Sequence, residues 1–181
     1  MQGETMVDWP AKEDRQKIEF DLFRRGYRTL ENGCDIDLMQ WREQPDCEVR
    51  DVETGEIFGV ELTSVYLNKR RVESYRKGLV KVPKRDPALI EAYQRRLLEA
   101  IREKVEKARS GYEIYPRMIL AIYVGDIVAI HMDREDDWCR FHDEHREDFD
   151  NVSPFSEVVF FNLANDGVFS IKCVNEARKG G

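Results

Sequence analysis

Three carboxylates and a threonine on one candidate hairpin carry the chemistry this sequence offers. Residues 45–52 and 57–66 are strand-like, and Glu53-Thr54-Gly55-Glu56 between them has the composition of a turn. Side chains alternate along a strand, so Glu61 and Thr63 share one face while Val60, Leu62 and Tyr66 take the other. With Val52 and Ile57 flanking the turn, Asp46 lies opposite Thr63 and Glu48 opposite Glu61, all on that first face. Directly opposed Cβ atoms lie about 5 Å apart and diagonal ones about 7–8 Å. That spacing brings Asp46, Glu48 and Glu61 within reach of one cation, and an oxygen-only ligand set selects Mg2+ or Mn2+. A two-residue slip of register keeps the face; a one-residue slip destroys it.

The elements that must hold this hairpin follow from periodicity. A first helix is expected over about residues 10–25, with Pro10 in its first turn, Gly26 at its exit, Ile18 and Leu22 on one face and Glu19 beside it. A long helix is expected over 87–110, capped by Asp86, opened by Pro87 and closed by Gly111. Its apolar stripe is Ile90, Tyr93, Leu97, Ile101, Val105 and Ala108. Residues 117–124 read as a buried strand, 127–131 as a second one, and 157–163 with 168–173 as a closing hairpin around Asn165-Asp166-Gly167. The order of helix, strands, helix, strands indicates an α/β domain, a mixed sheet flanked by helices. At 181 residues the chain is expected to form a single domain, with a core over about 10–131, an acidic insert over about 133–150 and a C-terminal hairpin over about 156–174.

Net charge is −7, but the charge is unevenly spread. Residues 69–85 hold eight basic residues (Lys69, Arg70, Arg71, Arg76, Lys77, Lys81, Lys84, Arg85) and one acid, and read as a basic loop facing a polyanion. Residues 133–150 hold nine acids and three arginines, a segment suited to a basic protein partner.

The stretch Pro45-Asp46, a turn, then Val60-Glu61-Leu62-Thr63 resembles the signature of the PD-(D/E)XK nucleases, and the order of elements over residues 10–131 is similar to that superfamily's. The resemblance implies a restriction-endonuclease-like core and Mg2+- or Mn2+-dependent hydrolysis of DNA phosphodiesters. It implies metal bound at Asp46 and Glu61, with Glu19 on the preceding helix completing the site; Glu48 is a further candidate ligand from register alone. The chain departs from the family at Thr63, where a lysine assists the nucleophilic water. A Glu-x-Thr variant implies a migrated cation, with Lys69, Lys81, Lys84, Arg96, Lys104 and Lys107 as candidates, or a module that binds nucleic acid or protein without cleaving. Lys69, Arg70, Arg71, Arg76, Lys77, Lys81 and Lys84 are the residues expected to hold the DNA backbone. Small nucleases that cut both strands often act as homodimers, so a dimer is an expectation too.

Other classes are disfavoured. No phosphate-cradling glycine loop occurs, and His142 and His145 lack the i, i+4 spacing of zinc helices. The four cysteines form no CxxC pair, and no apolar run approaches the ~20 residues of a membrane helix. These features predict a cytoplasmic protein with thiols and without a membrane partner.

Overall fold

The computed structural model describes residues 11–30, 33–76, 78, 81, 84–132, 135–163 and 169–173. Six strands form one mixed sheet in sequential order: β1 (Ile36–Trp41), β2 (Cys47–Asp51), β3 (Ile57–Ser64), β4 (Met118–Tyr123), β5 (Glu157–Leu163) and β6 (Phe169–Cys173). The β1–β2, β2–β3 and β5–β6 pairs are antiparallel, and β3–β4 and β4–β5 are parallel. A parallel pair needs a crossover, which α3 (Pro87–Gly111) supplies between β3 and β4. The expected α/β class, a mixed sheet flanked by helices, is observed. The C-terminal strands belong to the same sheet, because β5 pairs directly with β4.

Both sheet faces are covered. Phe20, Phe23 and Tyr27 of α1 (Lys12–Tyr27) pack on one face with Val60, Leu62, Ile119, Ala121, Val159 and Phe161. On the other, Tyr93, Leu97, Ile101 and Val105 of α3 pack with Met118, Leu120, Ile122, Val158 and Phe160. Alternate residues of β4 therefore enter different cores, which is why that strand is apolar throughout.

The long helix forms as its sequence dictates. The Asp86 carboxylate accepts from the Ala88 N–H at 3.0 Å, Pro87 opens the helix, and five residues of the expected stripe are buried with Ile90 packed beside them. In α1 the buried face is rotated from the expected one. It comprises Glu19, Phe20, Phe23, Gly26 and Tyr27, whereas Ile18 is 52% exposed. Three aromatic rings bury more area than Ile18 and Leu22, so they take the core and bring Glu19 with them.

Three other expectations are corrected. The hairpin register pairs Cys47 with Val60 and Glu48 with Gly59, two residues away from the expected one. The reason is the turn. The Asp51 carboxylate accepts from the N–H groups of Glu53 and Thr54 at 2.8 and 3.0 Å, Gly55 supplies φ +78°, and the Asp51 N–H closes on the Glu56 carbonyl at 2.9 Å. Residues 127–131 are no strand but part of a 3-10 helix, Ile127–Met132. Asp126, buried, accepts from Val128 N–H at 3.0 Å and from Leu67 N–H at 2.7 Å, capping that turn and tying down the segment after β3. The basic segment begins as a helix, α2 (Lys69–Arg76), with Val72 buried. Gly78 follows it with φ +70°, a conformation that suits a helix exit. The acidic segment is helical and packs on the α3-side core. Its helices α4 (Glu135–Glu144) and α5 (Arg146–Asp150) bury Trp138, Phe141 and Phe149 in the α3-side core. The Asn165-Asp166-Gly167 turn and Pro10 lie outside the described residues.

Candidate active site

β3 runs four residues beyond the end of β2, and that overhang creates the site. Their pairing stops at Cys47 and Val60, so the edge of β3 from Glu61 onward has no β2 partner for its main chain. Asp46, one residue before β2, fills part of the gap. Its Oδ2 accepts from the Leu62 N–H at 2.8 Å, and its own N–H donates to Glu61 Oε2 at 3.2 Å. Gln16 of α1 donates to Asp46 Oδ1 at 2.9 Å. Gly59 makes this approach of the chain to the sheet feasible, because a Cβ there would lie 2.7 Å from Pro45 Cγ and 3.0 Å from the Tyr115 ring.

Glu61 is only 2% exposed and is held on three sides. Tyr112 donates its hydroxyl to Oε1 at 2.7 Å, the Lys104 ammonium pairs with the same oxygen, and the Asp46 N–H meets Oε2. Lys104 and Tyr112 come from α3 and its C-terminal cap, so the long helix clamps the carboxylate. Burial, then the Glu61 hydrogen bond, pushes the Tyr112 hydroxyl well above its ordinary pKa. Burial, and next the charge of Glu61, raises Asp46 to about 6, against the Leu62 N–H and the Lys104 and Lys12 charges that favour its ionised form.

Asp46 opens onto a cleft of about 340 Å³ between α1, β3 and α3. Four cationic residues line it (Lys12, Arg15, Lys69 and Lys104) against two carboxylates, Glu19 and Asp46. Thr63, Ser64 and Tyr66 complete the β3 side, and Ser64 donates its hydroxyl to Glu19.

The expected site residues therefore divide. Asp46 and Glu61 are adjacent, and Glu19 and Thr63 line the same cleft as Asp46. Glu48 goes elsewhere: Tyr115 donates to it at 2.6 Å and Arg42 at 3.3 Å, and these partners, the Tyr115 hydroxyl first, lower its pKa. Among the described residues, no group of three His, Cys, Asp or Glu side chains converges on a point that would hold a metal, so the expected triad of Asp46, Glu48 and Glu61 is not assembled. The two-residue register shift is the physical reason, because it sets Glu48 opposite Gly59.

Of the basic residues, Lys69 lines the cleft, whereas Arg70, Lys81 and Lys84 are exposed and are not among its lining residues. The side chains of Arg71 and Arg76, and all of Lys77, lie outside the described part. Sequence reasoning missed Lys12, Arg15 and Gln16, and it read Tyr112 only as a packing residue. A helical spacing of i, i+3, i+4 and i+7 from Lys12 to Glu19 was the available signal for the α1 residues. Nothing in the sequence marked Tyr112.

No family model matches this chain, and no curated protein matches it. Among solved structures, SfsA of Pyrococcus furiosus in complex with Ca2+ is similar, with a TM-score of 0.35 and 12% identity over 87% of this chain and 62% of that one. The chain thus spans about 62% of the length of that protein. No helix among the described residues is long and apolar enough to cross a membrane.

Proposed function

We propose that the protein is a metal-dependent nuclease that hydrolyses DNA phosphodiester bonds in the Asp46 cleft. The observation that carries this reading is that Asp46 and Lys104, which line a cationic cleft, both meet the buried Glu61 carboxylate. The donor set fits a hard divalent cation. Glu61 is a buried carboxylate with the half-buried Asp46 beside it, and Asp46 is raised by burial and then by the charge of Glu61, a repulsion that a cation offsets. Mg2+ is commonly bound through one or two carboxylates plus substrate phosphate and water, so two protein ligands suffice. Mg2+ or Mn2+ would there polarise a phosphate oxygen and acidify a water.

The chain's own residues do the rest. Lys104 takes the role vacated at Thr63: its ammonium reaches Glu61 from α3 and stands where negative charge grows during hydrolysis. Lys69, Lys12 and Arg15 hold the phosphate backbone. Gln16 and the Leu62 N–H orient Asp46, and Tyr112 orients Glu61. Glu19, fixed by Ser64, faces the cleft as a further acidic group.

The test is nicking of supercoiled plasmid in Mg2+ or Mn2+ by wild type, Asp46→Asn, Glu61→Gln and Lys104→Met. Cleavage by wild type that each substitution removes supports the reading. Cleavage that survives all three removes the site. A second reading, a nuclease-fold module that binds without cleaving, is favoured by one observation: both Glu61 oxygens already have protein donors. Salt-sensitive DNA binding with no cleavage in either metal would select it.

A further inference from the structure

An exposed tryptophan lies outside the lining of this cleft but next to the chain segment that carries Asp46. Trp41 ends β1 and pairs with Cys47, the residue after Asp46. The N–H of Arg42, the next residue, donates to the Asp46 carbonyl at 2.8 Å. The indole packs edge-on against Phe20, with centroids 5.7 Å apart and planes at 72°, yet Trp41 remains 38% exposed. Phe20 lies one helical turn beyond Gln16, the residue that donates to Asp46. Neighbours at that spacing have Cβ atoms about 5–6 Å apart, so the Trp41 ring and the Asp46 carboxylate are held by adjacent positions on one face of α1.

A second aromatic, Tyr66, lines the cleft two residues past the end of β3, beside Lys69. Tyr66 is thus an aromatic ring of the cleft lining itself, whereas Trp41 lies outside that lining, next to the residues that hold Asp46. Cations hold a phosphate backbone whatever its sequence. Aromatic rings add affinity only for bases whose faces are open, because in a duplex those faces are already stacked.

We infer that the cleft takes single-stranded nucleic acid, with the phosphates along Lys12, Arg15 and Lys69 and an unpaired base stacked on Trp41. This deepens the nuclease reading by naming the form of its substrate, and it rests on that reading for the position of the cut bond. Binding itself can be measured without cleavage, so the two stand or fall separately.

The experiment is fluorescence anisotropy in EDTA with a labelled short oligothymidylate, an abasic strand of the same length, and a duplex of that length. Wild type should bind oligothymidylate at least about tenfold tighter than the abasic strand. Trp41→Ala should abolish most of that preference and leave the abasic strand unaffected. Trp41→Phe should keep the preference, and Lys69→Gln should weaken both strands alike. Equal binding of the two strands by wild type overturns the inference, and that comparison needs no variant. Tighter binding of the duplex, or equal losses on both strands in folded Trp41→Ala, overturns it as well.

Discussion

Two ionic clusters sit toward opposite ends of the central strands, and they solve the burial of charge in opposite ways. Arg117 precedes β4 and is enclosed by Tyr27, Glu157 and Glu56, with its guanidinium 4.6 Å above the Phe58 ring. Burial works against its charge, but Tyr27 and Glu157 outweigh that and push its pKa up, so the ionised form is favoured. At Asp46 the balance falls the other way: burial and Glu61 raise a carboxylate and penalise its ionised form. The Arg117 cluster is closed by aromatic rings, whereas Asp46 faces a cleft. A charge network that relieves itself is built for stability. The other leaves a carboxylate whose ionised form is penalised facing a cleft, as groups at functional sites often are.

The sharpest way to break this contrast is to separate activity from stability. Asp46→Asn and Glu61→Gln should each lower plasmid nicking by about a thousandfold, the several kcal/mol that metal charge stabilisation supplies. Arg117→Met, in protein confirmed folded, should nick within about twofold of wild type. A comparable loss at Arg117 would erase the distinction.

Arg117→Met should instead cost about 3 kcal/mol in urea unfolding, because Glu157 is left with an uncompensated and largely covered charge. Lys104→Met should cost about 2 kcal/mol at neutral pH for the same reason at Glu61, and adding Glu61→Gln should restore most of the loss. If the double variant is as unstable as Lys104→Met, the lysine stem and not its charge supports the site.

The smallest effect concerns the sign at Asp46. Its folded pKa of about 6 exceeds the ordinary 3.8, so folding favours the protonated form. Its contribution to stability is therefore fully present below pH 4 and is lost as pH rises through 6. Asp46→Asn should thus gain about 1–2 kcal/mol over wild type at pH 8 and nothing at pH 4, read as the difference between two urea titrations. Gln16 can reverse its amide to accept from the new side chain. A variant less stable than wild type at pH 8 would place Asp46 with Arg117 as a stabilising group.

Much of the fold was legible. The stripe from Tyr93 to Ala108 and the Asp86-Pro87 start specified the long helix, because local capping and a 3.6-residue period need no distant partner. Asp46 and Glu61 were legible as a pair, since both the expected register and the observed one put them on one face as direct or diagonal neighbours.

What the sequence by itself determined was thus the alternation that puts Glu61 off the face of Val60 and Leu62, the long helix, and the α/β class. What only the tertiary structure decided was which charges meet. The Asp51 turn shifted the register and sent Glu48 to Tyr115. Three aromatic side chains rotated α1 and buried Glu19. The packing of α3 on the sheet brought Lys104 to Glu61 from 43 residues away. Each outcome depends on which of several competing burials is largest, a quantity that exists only once distant segments pack together.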